Sequence, residues 1–323
     1  VAPKGVERRP TRWRGLVLLG GLGLAVALVV GAGLLLAGST SAERQGPPSG
    51  IPCRTFPPFA SKLGFSTRAG LDASDTREPG LRLVEPPAAQ GQEPRVYQDP
   101  SWLQAGYLGA PILDQAGNVY VAPAPQTSLA LNPPEQQNRV YKIDGASGTM
   151  ALFTDIPAAQ PPSLENPFGV LGLAVDCRTN TLYASTVAGS TRAEERGQLV
   201  RIDLRSGQVL GTLDGIDGFG LAVGRDGSAP GGRLYFGRAR TPEVWSVALD
   251  QSGAFAGQPE RELELGPWLA DGDGRARRLT LGEDGTLTAT VSPFTYTLAP
   301  PSTAPQRLVF IYDLARRAWQ HFH

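Results

Sequence analysis

The chain has 323 residues, 41% of them apolar, and its 30 Lys+Arg are balanced by 30 Asp+Glu. With no net charge and no basic stripe interleaved with aromatics, a nucleic-acid partner is not expected. Forty glycines and 29 prolines favour turns, loops and strand edges over long helices, so the body is expected to be all-β.

Residues 1–14 carry Lys4, Arg8, Arg9, Arg12 and Arg14 against Glu7, and no charge follows until after Ala42. The apolar run beginning at Gly15 is about 23 residues long, enough to cross a hydrocarbon core at 1.5 Å per residue. Residues 15–38 are therefore read as a transmembrane signal-anchor helix, with the basic segment 1–14 in the cytoplasm and the main domain outside. The alternative is a signal cleaved in the small-residue patch after Gly38, releasing a secreted domain.

Residues 39–80 are rich in Pro, Gly, Ser and Ala and read as a semi-rigid linker. The domain proper is assigned to residues 81–323, with strand-like runs already at Leu81 to Val84 and Arg95 to Tyr97. From Gly109 a two-hairpin unit recurs. Its first hairpins are APILDQAGNVYVAP, GLAVDCRTNTLYAST, GLAVGRDGSAPGGRLYFGRA and RLTLGEDGTLTATV; its second hairpins start at Arg139, Leu199, Glu243 and Leu308. Asp144, Asp203, Asp250 and Asp313 follow the third strand of each unit, spaced by 59, 47 and 63 residues, where a side chain that accepts bonds from its own turn is favoured. Four-stranded units at this period predict a β-propeller of five or six blades.

The phrase GLAVDCRTNTLYAST, preceded by Asn166-Pro-Phe, resembles the repeat of NHL-type propellers and of the gluconolactonase and senescence-marker-protein family, and residues 220–265 look like a blade of the latter. That resemblance implies a divalent metal on the axis and hydrolysis of lactones or related esters. Carried onto this chain, the family's ligand positions fall on Phe219 and Arg277, and neither side chain can coordinate a cation. No metal cofactor is therefore expected, calcium being the alternative.

Arg275, Arg277 and Arg278 form the dense basic cluster of the body, and are candidates to grip an anionic ligand with forked guanidinium bonds. Asp214 and Asp217, just ahead of an inner strand, are further ligand-binding candidates, although Asp-Gly pairs also make turns. Asp271 and Asp273 match a fragment of a calcium loop without its distal glutamate. Cys53 and Cys177 are either a disulfide pair or one buried and one free thiol. The two histidines, His321 and His323, stand at the C-terminus, which leaves no histidine triad in the body. Trp319 and Phe322 are expected in the outermost strand of the last blade.

These readings point to a membrane-tethered, non-catalytic module that binds a small anionic ligand or a protein partner. A metal-dependent lactonase and a structural subunit of a membrane complex are the alternatives.

Overall fold

The computed structural model describes residues 44–322 except 76, 126–128, 159, 271 and 299–302. The chain divides into two units, Val1–Ser41 and Ala42–His323, and the described residues belong to the second. The expected membrane helix at 15–38 lies outside them; among the described residues no helix is long and apolar enough to cross a membrane.

Five antiparallel sheets follow one another along the chain. Blade I holds three strands, β2 (Gly70–Asp72), β3 (Arg82–Glu85) and β4 (Arg95–Tyr97). Blade II holds β5 (Ile112–Leu113), β6 (Val119–Val121), β7 (Arg139–Ile143) and β8 (Met150–Asp155). Blade III holds β9 (Val170–Asp176), β10 (Thr181–Thr186), β11 (Gln198–Asp203) and β12 (Val209–Asp214). Blade IV holds β13 (Gly218–Arg225), β14 (Arg233–Arg238), β15 (Glu243–Leu249) and β16 (Phe255–Glu264). Blade V holds β17 (Arg275–Leu281), β18 (Thr286–Ser292), β19 (Gln306–Asp313) and β20 (Ala318–His321). The fold is a five-bladed β-propeller.

The first strands of blades III, IV and V pack against one another, which makes them the innermost. Two glycines permit this approach. A Cβ on Gly172 would lie 2.0 Å from the Phe219 carbonyl oxygen, and one on Gly220 would lie 2.7 Å from Cα of Arg278. The glycine of the repeated Gly-Leu-Ala-Val phrase is thus a contact point between neighbouring inner strands.

Four apolar clusters fill the successive blade interfaces. Leu83, Trp102, Val119 and Ile143 join I to II, and Tyr120, Val140, Leu182 and Val200 join II to III. Tyr183, Leu199, Leu234 and Phe236 join III to IV, and Tyr235, Leu279, Leu287 and Phe310 join IV to V. Middle strands covered on both faces are buried along their whole length, as in Thr181–Thr186. Blade V alternates instead: Leu279, Leu281, Leu287 and Ala289 are buried against blade IV, while Thr280 is exposed and Thr288 and Thr290 are half-buried on the other face. That period of two marks a sheet with one covered face.

Residues 44–80, expected as linker, are built into the domain, so the spacer reading does not hold for them. Arg44 bonds Asp226 at 2.6 Å and also pairs with Glu262, and Ser49–Gly50 (β1) adds a strand to β13 opposite Arg225 and Gly224. Gly50 N–H then donates to Gly282 of blade V. Cys53 is disulfide-bonded to Cys177 in the β9–β10 turn of blade III, with Cα atoms 5.4 Å apart. Thr55 N–H donates to Asp114 in the β5–β6 turn of blade II, and Phe59 N–H donates to Gly145 in its β7–β8 turn. The short helix α1 (Pro58–Lys62) buries Phe59 and Ala60. This strap crosses the ends where the inner strands finish. Composition hid it because its fastening is one disulfide, a buried arginine and scattered backbone bonds, and it has no apolar run.

Candidate functional site

At the opposite end, where the inner strands begin, the ladder is broken in the same place three times. In blade III, Val170 pairs with Thr186 and Gly172 with Ser185, so Leu171 is left over. In blade IV, Gly218 pairs with Arg238 and Leu221 with Phe236, so Phe219 and Gly220 face Gly237 alone. In blade V, Ala276 pairs with Val291 and Arg278 with Thr290, so Arg277 is the extra residue. A bulge re-aims the side chain it carries. Leu171, Phe219 and Arg277 thus stand at equivalent points around the mouth.

The Arg277 guanidinium lies over the Phe219 ring, 5.3 Å from its centroid, and one Nη donates to the Ser292 hydroxyl at 3.5 Å. The side chain is exposed at the surface, but the protein packed around the mouth draws its pKa below the ordinary arginine value by desolvation. It remains a cation. Among the described residues no carboxylate forms an ion pair with it. Three other arginines here are matched: Arg238 to Glu195 at 2.7 Å, Arg240 to Asp217 at 3.4 Å, and Arg275 to Asp273. Arg275 Nε also donates to the Ala239 carbonyl at 3.1 Å. Of the expected basic cluster, Arg275 is thus engaged and Arg277 and Arg278 are not. Arg278 is exposed and takes, in blade V, the place that Gly172 and Gly220 hold in their blades.

The two aspartates are not ligand groups of one site. Asp214 ends β12, an outer strand, and accepts from Gln198 Nε2 at 2.8 Å. Asp217 is fully buried. Its Oδ1 accepts from Ser190 Oγ at 2.5 Å and Gly197 N–H at 2.9 Å, and its Oδ2 accepts from Tyr296 Oη at 2.5 Å and Arg240 Nη1 at 3.4 Å. Both oxygens are occupied, so Asp217 fastens blades III, IV and V together. Burial beside this carboxylate pushes the Tyr296 phenol well above its ordinary value, with desolvation the largest cause.

Tyr296 belongs to the loop between β18 and β19, which bends over the mouth. Phe294, two residues before it, touches Phe219 with ring centroids 4.9 Å apart and Phe168 of blade III at 5.2 Å. Leu171, Val187 and Ala239 complete this cluster. Two hollows, of about 310 Å³ beside Asp114 and Cys177 and about 320 Å³ beside Ile311 and His321, lie elsewhere; the mouth is filled with aromatic rings. Of the calcium-loop fragment, Asp271 lies outside the described residues and Asp273 pairs with Arg275. Among the described residues no three His, Cys, Asp or Glu side chains are grouped to hold a metal. His321 sits in β20 stacked on Trp268, 4.7 Å between centroids. Trp319, in the same strand, donates to Glu262 at 3.0 Å, and Phe322 is exposed.

The repeated phrases align Phe219 with Arg277, and Leu171 stands in the same column of the sequence. Phe294 and Tyr296 carry no such signal, because nothing in a loop sequence announces which blade it will cover.

No protein-family model matches the chain, and no curated protein does. Among solved structures it is similar to a Lactobacillus plantarum protein, with 15% identity and a TM-score of 0.46, covering 80% of this chain and 68% of that one. It is similar to a chain of the nidogen/laminin complex to the same degree, 15% and 0.46, over 79% of this chain and 74% of that one. These likenesses bring no activity or ligand to this chain.

Proposed function

We propose that this propeller is a non-catalytic binding module, held outside the cytoplasmic membrane by its N-terminal segment, that takes an anionic group at its mouth through Arg277. The observation that carries the reading is the Arg277 guanidinium, exposed at the mouth on the Phe219 ring with no carboxylate paired to it, while Arg238, Arg240 and Arg275 each have one. An exposed guanidinium set on an aromatic ring keeps its fork free for a carboxylate or phosphate. Kinship with the gluconolactonase-like propellers is part of the proposal: that family's ligand positions fall on Phe219 and Arg277, two members of the bulged column. Arg277 suits an anion and repels a divalent cation, and Phe219 has no donor atom to hold one, which speaks against metal-dependent lactone hydrolysis. The Cys53–Cys177 bond supports an oxidising compartment outside the cytoplasm.

The test is thermal melting of the full chain with acetate, benzoate, phosphate and sulfate at fixed ionic strength. A saturable rise in midpoint that disappears in Arg277→Ala supports the reading. No rise with any anion, or an equal rise in the variant, overturns it.

A further inference from the structure

The mouth presents a cation but little room around it. Small-molecule sites are concave, typically several hundred Å³, whereas here Phe294 fills the centre against Phe219 and Phe168. What remains is a shallow relief of half-buried apolar side chains (Phe168, Leu171, Phe294) over the buried Phe219, on which the Arg277 head stands. Energetically dominant residues of protein interfaces are of this kind, arginine and aromatics at the centre of a patch, ringed by contacts that exclude water. The neighbouring arginines of the mouth are held in internally neutral pairs, Arg238 with Glu195, Arg240 with Asp217 and Arg275 with Asp273. They offer nothing to a charged partner, and the open guanidinium is left to decide its sign.

Resting on the anion-gripping reading, we infer that the occupant is a segment of a partner protein bearing a carboxylate beside an apolar or aromatic side chain. The carboxylate takes the Arg277 fork, and the neighbouring side chain covers Leu171 and the exposed edges of Phe168 and Phe294. Arg278, exposed next in the chain, adds attraction for acid without fixing geometry. Such a segment lies across the mouth and needs no cavity.

The experiment is selection of a random dodecapeptide display library on the full chain, with the Arg277→Ala chain as counter-target. Melting with benzoate and 3-phenylpropionate runs in parallel. Enriched peptides carrying Asp or Glu within two positions of an apolar residue are expected, with binding reduced at least tenfold in Arg277→Ala and partly retained in Arg277→Lys, which keeps the charge but not the fork. Arg277 is exposed on a bulge, so both variants fold, and their unchanged melting without ligand verifies it. Enriched peptides without a carboxylate overturn the inference. So does submillimolar, Arg277-dependent binding of the small acids with no peptide enriched, an outcome that leaves the anion site standing. If neither peptides nor acids depend on Arg277, both readings fall.

Discussion

The Tyr296 phenol donates to the buried Asp217 carboxylate at 2.5 Å, and this bond holds the β18–β19 loop of blade V over a network rooted in blades III and IV. Tyr296→Phe removes the donor and leaves a buried carboxylate oxygen with only Arg240 at 3.4 Å. The expected cost is about 1–3 kcal/mol. Tyr235 is just as deeply buried, but its hydroxyl has no hydrogen-bond partner among the described residues. Tyr235→Phe is therefore expected to leave stability unchanged or raise it. Urea unfolding of the two variants side by side checks the contrast, and equal destabilisation would contradict it.

The strap gives a second prediction. The Cys53–Cys177 bond spans a sequence separation of 124 residues, so removing it restores a large closure entropy to the unfolded chain. Replacing both cysteines with serine is expected to cost about 4–5 kcal/mol on the chain-entropy account. Arg44→Ala acts at the other end of the strap. It removes the cation paired with the buried Asp226 carboxylate, while Glu262 keeps Arg233 and Trp319, and the expected cost is about 3 kcal/mol. Melting of each variant, and a gel mobility shift of the parent on reduction, are the measurements. Small losses in both would show that the strap is not structural.

Acid sensitivity follows from the turns. Backbone N–H groups of Ser147 and Ser206 hold the carboxyls of Asp144 and Asp203 below their ordinary 3.8, and the Ser252 hydroxyl does the same for Asp250. A carboxyl whose folded pKa is depressed contributes stability above its unfolded value and loses it as pH falls through the folded one. The melting point is thus expected to hold from neutrality to near the ordinary carboxyl value and to fall below it. Each of these groups is exposed, so each contribution is small. Asp203→Asn is expected to flatten the acid limb slightly; a limb unchanged when all three are replaced by asparagine would contradict the account.

Those turns were legible because their chemistry is local. Asp203 accepts from Arg205 and Ser206 within its own turn, and Asp250 from Ser252 and Ala254, so a few consecutive residues of sequence suffice. The strand Thr181–Thr186 was likewise readable from its neighbours alone. Tyr296 and Asp217 stand 79 residues apart, and Arg44 and Glu262 stand 218 apart. Neither pair leaves a mark in periodicity or composition. Arg277 lies between these cases: its column was legible from the aligned phrases, but the bulge that exposes it depends on strand register, which only pairing fixes.

A mouth that takes an anion through Arg277, beside the donor-less Phe219, offers a divalent cation nothing to bind. The most direct measurement is melting of the full chain with chelator and then with millimolar calcium, manganese or zinc. The account predicts the same midpoint throughout. A bound metal in hundredfold excess over its dissociation constant would add about 2.7 kcal/mol, a rise of a few degrees. A saturable rise of that size would contradict the account and return the metal-dependent hydrolase to first place.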